Sequence, residues 1–315
     1  MKHFVWLLSF VLCLGTLFAT DQKVDRFSSL CDRSEEKGKV TMYFVDLDVP
    51  KGSKDKSGDS TIIISPDGKV MLLDCGHPDA AKDVIKVLQT LDIKKIDIFV
   101  NSHPHIDHLG AFPQIAELFD IGEVYRSTVE YKSSVYYRDF VSAIESHKIP
   151  VRYIKDGDSF MLGSSVRVDV LGPKAEIVYP SGYPDNSTQF LNDESVVLQL
   201  TYGDSKMLFS GDLYRGGERE VLDSHKDILA SDVAKANHHG NDTSNQLGWI
   251  KAVRPQVVVA MNDTMGSMTV LHNYVKYGAT FYHTLYNGLI KVQVDEHHKV
   301  NVQTQYDSWV EKTER

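Results

Sequence analysis

The sequence predicts an α/β protein in which two β-sheets lie between outer helices, so that one domain contains four layers. Three observations support this fold class. Strand-like apolar runs alternate with helical patterns in both halves of the chain, and no linker separates the halves. The 315 residues suffice for one large core, and the hydrophobic content of 42% is ordinary for a folded soluble protein. We therefore expect one continuous domain over residues 40–305.

The N-terminal residues have the pattern of a secretory signal peptide. A short basic start precedes the apolar run Phe4–Phe18, which is too short for a comfortable membrane span. We predict a signal peptide over residues 1–19, an extracellular or periplasmic protein, and no transmembrane span in the mature chain. An uncleaved membrane anchor is the alternative. The polar residues 20–39 should form a flexible N-terminus, and residues 306–315 a C-terminal tail.

The individual elements follow from local patterns of apolar and turn residues. β-branched runs and turn signals such as Pro66-Asp67-Gly68 predict strands, and helical periodicity predicts helices. In the first half, the predicted strands are Val40–Leu47, Thr61–Ser65, Val70–Leu73 and Ile96–Val100, and the predicted helices are Ala80–Leu91, Ile115–Phe119 and Tyr137–Ser146. In the second half, the predicted strands are Val166–Leu171, Ser195–Tyr202, Lys206–Phe209, Val233–Ala236 and Gln256–Met261, and the predicted helices are Gly217–Leu222, Leu247–Val253 and Thr269–Tyr277. A terminal hairpin should pair Phe281–Leu285 with Gly288–Val294 around Asn287-Gly288.

The segment that follows strand Ile96–Val100 carries the clearest chemical signal. It places His103, His105, Asp107 and His108 within six positions. Imidazole nitrogens and carboxylate oxygens are ligands that Zn²⁺, Mn²⁺ and Fe²⁺ accept. Residues two apart in an extended stretch point the same way, so His103 and His105 can share one ion. Asp107 and His108 lie past the turn and can reach a second ion.

The remaining ligands must come from other parts of the chain. Asp212 follows the strand Lys206–Phe209 closely, where a bridging carboxylate would lie. His238 and His239 follow the next strand in the chain. We predict that Asp212 and at least one of these histidines bind metal, and we favour His239. The other histidine would then support the site or face the substrate.

Two divalent ions, zinc or alternatively manganese or iron, would define a hydrolase. Such ions activate a bridging water and stabilise the negative charge that develops on an attacked ester. Asp107 or Asp212 can take the proton that is transferred during the reaction. No separate serine or cysteine nucleophile is needed.

The sequence resembles a known family. His103-Pro104-His105-Ile106-Asp107-His108 resembles the H-x-H-x-D-H signature of the metallo-β-lactamase superfamily. Further stretches resemble the hydrolase domain of bacterial competence DNA-uptake channel proteins and their exported relatives. The order and spacing of these stretches agree with that domain over roughly residues 40–295. These stretches are Gly58-Asp59-Ser60, Asn192–Leu198, Ser210-Gly211-Asp212 and His238-His239-Gly240. The resemblance implies a four-layer αββα sandwich, the metallo-β-lactamase fold, with a two-metal site at one edge.

One ligand that the resemblance implies has no obvious counterpart. Most members of the superfamily carry another histidine between the first motif and the bridging aspartate. His147 lies in that interval, but its helical surroundings make it a poor candidate. The corresponding place reads Asn192-Asp193, so an oxygen of Asn192 or Asp193, or else His238, would complete the first metal shell.

The resemblance favours a secreted phosphoester hydrolase of phosphodiesterase or nuclease-like activity. Lys51, Lys54 and Lys56 lie in a loop near the expected site and suit a small-molecule or anionic phosphoester substrate. Hydrolysis of a carboxylic ester, lactone or β-lactam is the alternative, and a non-catalytic ligand-binding protein is a third. The formal net charge of −9 disfavours tight binding of duplex nucleic acid. The pattern leaves open the oligomeric state and whether Cys31 and Cys75 pair.

Overall fold

The computed structural model describes residues 26–178 and 187–307. The signal peptide predicted at residues 1–19 and the last part of the predicted tail lie outside these residues. Among the residues described, no helix combines the length and the apolar character that crossing a membrane requires.

The chain builds two mixed β-sheets, one after the other, and then returns to the first. The first sheet begins with β1 (Val40–Phe44), β2 (Thr61–Ile64), β3 (Val70–Leu73), β4 (Lys95–Asn101), β5 (Asp120–Arg126) and β6 (Val151–Tyr153). The second sheet contains β7 (Ser159–Leu162), β8 (Val166–Gly172), β9 (Val197–Tyr202), β10 (Ser205–Phe209), β11 (Val233–Lys235), β12 (Val257–Ala260) and β13 (Thr280–His283). The chain ends in the first sheet with β14 (Ile290–Val294) and β15 (Val300–Thr304). The strand orders are β15-β14-β1-β2-β3-β4-β5-β6 and β13-β12-β11-β10-β9-β8-β7.

Helices cover the outer face of each sheet. They are α1 (Phe27–Leu30), α2 (Ala81–Thr90), α3 (Ile106–Leu109), α4 (Phe112–Ala116), α5 (Val135–Ser146), α6 (Thr188–Asp193), α7 (Arg215–His225), α8 (Leu247–Val253), α9 (Met268–Lys276) and α10 (Thr284–Asn287). Buried side chains of α2, α4 and α5 pack on the first sheet, and those of α7, α8 and α9 pack on the second. A third core, which includes Phe44 and Phe209, lies between the sheets. The predicted four-layer sandwich is confirmed.

Parallel strands in both sheets determine where polar side chains can gather. The strands β3, β4, β5 and β6 run parallel to one another, as do β10, β11, β12 and β13. The carboxyl ends of neighbouring parallel strands meet at one edge of a sheet, and loops at that edge are where α/β proteins bind ligands. The loops after β3, β4, β10 and β11 all carry histidine or aspartate.

The predicted terminal hairpin is wrong. Thr280–His283 pairs with β12 in the second sheet, whereas Ile290–Val294 pairs with β1 in the first. Between them, Thr284–Asn287 forms a helical turn that ends at Gly288, whose φ is 67°. Asn-Gly suits both a hairpin turn and the left-handed end of a helix, so the dipeptide alone does not distinguish these structures.

The described part of the expected flexible N-terminus packs against the core. Leu30 and Cys31 are buried among residues of the first helical layer. The Tyr43 hydroxyl donates a hydrogen bond of 3.0 Å to the buried Glu36. A few apolar side chains thus anchor residues 26–39, a segment that is otherwise polar. Cys31 and Cys75 are both buried with free thiols.

Candidate metal centre

Predicted site residues from both sheets meet at one edge of the sandwich. His103 and His105 follow β4, and Asp212 follows β10. His238 and His239 follow β11, in a short irregular segment Asn237–Gly240. Asp107 and His108 lie in α3, directly after the first two histidines. The structure thus brings together side chains that are more than a hundred positions apart in the sequence.

Four of these side chains converge on one point. The Nε2 atoms of His108 and His239 lie 3.2 Å and 3.1 Å from Asp212 Oδ2. Asp107 Oδ2 lies 3.8 Å from His108 Nε2 and 3.3 Å from His239 Nε2. Both Nε2 atoms are buried without a hydrogen-bond partner. Two imidazole nitrogens and two carboxylate oxygens that face one another in this way fit a divalent cation.

His103 and His105 form a second pair beside this cluster. His103 Nε2 lies 2.8 Å from His105 Nδ1, and the His103 and His108 rings are 4.1 Å apart between centroids. Burial lowers the pKa of His103 well below its usual value. The His103 ring is therefore neutral at neutral pH, and a neutral imidazole can bind a metal.

Three of the histidines are held in one tautomer by acceptors on their Nδ1 atoms. Asp74 Oδ2 accepts hydrogen bonds from His108 Nδ1 at 2.8 Å and from Ser102 Oγ at 2.6 Å. Ser102 Oγ in turn lies 3.0 Å from His103 Nδ1. His239 Nδ1 donates to Asp59 Oδ1 at 2.9 Å. When these rings are neutral, each Nε2 atom is left with a lone pair that points into the cluster, as metal-binding histidines require.

Charges inside the cluster favour a bound cation. Burial alone would lower the pKa of His108, but the Asp212 and Asp107 carboxylates raise it well above its usual value. The Asp212 and Asp59 carboxylates raise the pKa of His239 in the same way against the effect of burial. Carboxylates this deeply buried stabilise positive charge strongly. A divalent ion would supply that charge.

Two supporting residues, Asp59 and Lys235, were not assigned from the sequence. The Lys235 ammonium is buried, pairs with Asp59, and lies 3.3 Å from Asp212 Oδ1. Ligand atoms of Asp59, His108, Asp212 and His239 lie within 4.8 Å of one another, so Asp59 is itself a possible ligand. Its two oxygens, however, face His239 Nδ1 and Lys235. We therefore regard Asp107, which faces the Nε2 atoms, as the better fourth ligand.

The first loop approaches the metal motif through a glycine. Gly58 has a φ of 82°, and a Cβ at this position would lie 1.7 Å from the Asp107 carbonyl oxygen. The next residue, Asp59, donates its backbone N–H to that oxygen at 3.2 Å. Only glycine permits this close contact, which places Asp59 beside His239.

Asn192 lies in the chain between the first metal motif and Asp212, where an additional ligand was expected. The Asn192 side chain is buried, contacts His105, and its Oδ1 atom has no hydrogen-bond partner. Asp193 faces the other way and accepts a 2.8 Å hydrogen bond from the Gly217 N–H. His147 lies 3.3 Å from Glu117 at the end of α5, outside the cluster.

His238 is near the cluster but differs from the other histidines. Its backbone is left-handed, with φ 43° and ψ 56°. Its Nε2 atom lies 3.9 Å from Asp212 Oδ2, farther than the corresponding atoms of His108 and His239. Its Nδ1 atom contacts the Thr243 hydroxyl. Burial lowers the pKa of His238 to about 4.

The fold and the site together define a metal-dependent hydrolase built as a two-sheet sandwich. Residues 54–180 match the family model of the metallo-beta-lactamase superfamily, and the chain carries a domain of this superfamily. The family resemblance and the αββα fold expected from the sequence are confirmed.

Individual relatives are distant. The chain is 26% identical over 187 residues to ComE operon protein 3 of Bacillus subtilis (strain 168), covering 56% of this chain and 21% of that protein. It is 24% identical over 201 residues to competence protein ComA of Neisseria gonorrhoeae, covering 64% and 25%. Among solved structures, Rm3 metallo-beta-lactamase has a TM-score of 0.42 and 16% identity, covering 66% of this chain and 79% of that one. The matches to the two curated relatives thus cover a quarter of their length or less.

Proposed function

We propose that the protein hydrolyses phosphoesters, as a phosphodiesterase does, at a centre that holds two divalent ions. The main support for this proposal is the convergence of Asp107, His108, Asp212 and His239 beside the His103 and His105 pair. Zinc suits this mixture of nitrogen and oxygen ligands, and manganese or iron would also fit.

The ligands divide into two sets. The first ion would be held by His103, His105 and Asn192, and the second by Asp107, His108 and His239, and Asp212 would add its carboxylate to the same centre. The unpartnered Asn192 oxygen supports its place in the first set. Asp193 is a poor alternative because its carboxylate is bound to the Gly217 N–H.

The two candidate proton-transfer residues differ in their surroundings. When bound, the ions supply Lewis acidity and lower the pKa of water. Asp212 is held by Lys235 on one oxygen and faces His108 and His239 with the other, and its side chain is 3% exposed. The Asp107 side chain is 16% exposed. Asp107 is therefore the carboxylate that a substrate can reach, and the His108 and His239 imidazoles keep it ionised by holding its pKa well below the usual value against the effect of burial.

Positive charge near the site supports an anionic substrate. Burial lowers the pKa of His238, and the charge of the exposed Lys56 contributes to this shift. The loop that carries Lys56 also contains Lys51 and Lys54, both exposed. Phosphodiesters carry a negative charge on the group that is cleaved, whereas simple carboxylic esters and lactones are neutral there, so these lysines favour the phosphoester over those two substrates.

Hydrolysis of model substrates tests this proposal. Metal-loaded protein would be assayed against bis(p-nitrophenyl) phosphate, p-nitrophenyl phosphorylcholine and a chromogenic β-lactam. We expect cleavage of at least one phosphodiester, lost in Asp212→Ala and retained in Asp204→Ala, which changes an aspartate in the turn between β9 and β10. Turnover of the β-lactam alone would favour the alternative hydrolase, and no turnover by fully loaded protein would favour the binding protein.

We also propose that the protein is exported, which the apolar run Phe4–Phe18 supports. Expression of the full chain in a bacterial host, followed by N-terminal sequencing of the protein outside the cytoplasm, tests this. The expected mature terminus follows residue 19 closely. Recovery of the intact N-terminus from the cytoplasm or the membrane would contradict cleavage and export.

A further inference from the structure

His238 and His239 are adjacent, yet their side chains have different surroundings. Both residues have left-handed backbones, with φ of 43° and 55°. Such conformations are uncommon for residues with a Cβ. The His239 side chain is 1% exposed, whereas that of His238 is 16% exposed. The strained segment thus places one imidazole inside the metal cluster and the other at its rim.

The contacts of His238 differ from those of His108 and His239. His108 and His239 each have a carboxylate oxygen as the acceptor of Nδ1, which leaves a lone pair on Nε2. His238 Nδ1 contacts the Thr243 hydroxyl instead. A hydroxyl can donate its proton to Nδ1, and the proton of the neutral ring then lies on Nε2. In that tautomer His238 Nε2 is a donor, and a donor cannot bind a cation.

The surroundings of His238 suit a negatively charged oxygen. The Tyr214 ring packs against the imidazole at 4.8 Å between centroids and holds its plane. Burial lowers the pKa of His238, and the charge of the exposed Lys56 contributes to the same effect. His238 Nε2 lies 3.9 Å from the Asp212 oxygen that faces His108 and His239. A group bound by His238 would therefore lie directly beside the metal centre.

We propose that His238 is a substrate-binding residue that donates a hydrogen bond from Nε2 to an anionic phosphoryl oxygen, and that Thr243 is the positioning residue that selects this tautomer. The inference rests on the proposed phosphoester hydrolase and deepens it, because it assigns one of the two adjacent histidines to the substrate and the other to the metal.

Measurements of phosphate binding and of bound metal distinguish a substrate-binding residue from a metal ligand. The variants are His238→Asn, which keeps a residue that tolerates a left-handed backbone, Thr243→Val, Thr243→Ser and His239→Ala. Each is loaded with Zn²⁺ or Mn²⁺, its ions per chain are counted by mass spectrometry, and the Kd of phosphate is measured by calorimetry. Steady-state kinetics on bis(p-nitrophenyl) phosphate accompany these measurements.

We expect His238→Asn to retain the wild-type number of ions and to weaken phosphate binding about 10- to 100-fold, as the loss of a hydrogen bond to a charged group predicts. Thr243→Val should weaken phosphate binding less, without loss of metal, and Thr243→Ser should restore it because the hydroxyl is kept. His239→Ala should lose bound metal.

Loss of an ion in His238→Asn would show that His238 is a ligand and would overturn the inference. Unchanged phosphate binding in that variant, or a wild-type protein that binds metal but no phosphate, would overturn it as well. If His238→Asn weakens phosphate binding while the wild type cleaves no phosphodiester, the subsite stands and the proposed function fails.

Discussion

Removing the Lys235 charge should destabilise the metal-free protein strongly. The Lys235 side chain is 3% exposed and lies between the equally buried Asp59 and Asp212 carboxylates. Its Nζ also donates a 2.6 Å hydrogen bond to the Gly211 carbonyl. Burial alone would lower the pKa of Lys235, but the two carboxylates raise it, so the residue is an ammonium ion.

Lys235→Met keeps the length of the side chain and removes its charge and its donors. Two carboxylates would then remain buried after losing their shared cation. Breaking a buried ion pair by removing one partner costs about 3–5 kcal/mol, because an uncompensated charge is left in a medium of low dielectric. A divalent ion beside Asp212 would supply positive charge in its place, so the loss should be smaller in metal-loaded protein.

Urea unfolding of chelator-treated protein, with and without added Zn²⁺ or Mn²⁺, measures both quantities. Lys206→Met is a matched control on the neighbouring strand β10, where Lys206 Nζ donates an exposed hydrogen bond of 3.3 Å to the Ile228 carbonyl. That substitution should cost less than about 1 kcal/mol. The reasoning is refuted if the two variants differ by less than about 1 kcal/mol without metal, or if metal widens the difference.

Three further predictions concern the loops and the carboxylates around the site. Gly58→Ala should lower the free energy of unfolding by at least about 2 kcal/mol, because the new Cβ would overlap the Asp107 carbonyl. The control Gly52→Ala, where φ is 87° and the space is open, should lower it by only about 1 kcal/mol. Equal losses in urea unfolding would contradict the steric explanation. Glu218→Ala should lower the free energy of unfolding by about 3 kcal/mol or more, because three donors form hydrogen bonds to this buried carboxylate. The variant should also bind less metal. An unchanged urea midpoint would contradict a stabilising role of the Glu218 carboxylate. Burial and two neighbouring carboxylates raise the pKa of Glu194 from 4.5 to about 7, so its contribution to stability is present below pH 4.5 and lost as the pH rises through 7. Glu194→Gln should therefore flatten the pH dependence of the free energy of unfolding between these values. An unchanged pH dependence would contradict the raised pKa of Glu194.

The metal motif could be predicted because its chemistry is local. His103, His105, Asp107 and His108 lie in one segment after an apolar strand, and their spacing alone indicates ligands. Asp212 and His239 could be placed because each follows a strand end beside glycine. The sequence could not divide the roles of His238 and His239, since the division depends on backbone angles and on the distant Thr243 and Tyr214 side chains.

The supporting residues could not be derived from local pattern. Asp59 and His239 are hydrogen-bonded although 180 positions separate them. Asp74 and Lys235 each stand at the end of a short apolar strand, where a polar residue usually marks only the start of a loop. The Gly58-Asp59-Ser60 stretch was a usable signal, because a glycine before an aspartate indicates close approach of two backbones.

The sequence patterns located the central strands better than the outer ones. Strands β2 and β3 are continuous apolar or β-branched runs and β10 ends in an apolar run, and all three were predicted within a residue or two of their observed ends. Strand β5 was missed because Asp120, Gly122 and Glu123 interrupt its apolar pattern, and its parallel pairing with β4 stabilises it instead. Strand β6 is exposed along its whole length at the edge of its sheet, so no apolar alternation marks it.

The most direct test of a two-metal centre is the number of ions that the protein binds when both sets of ligands are varied separately. Chelator-treated wild type, Asn192→Leu and His239→Ala would each be titrated with Zn²⁺ or Mn²⁺, and bound metal measured by mass spectrometry. The proposal predicts about two ions per chain in the wild type and about one in each variant. Fewer than one ion in the wild type, or a full complement in His239→Ala, would contradict it.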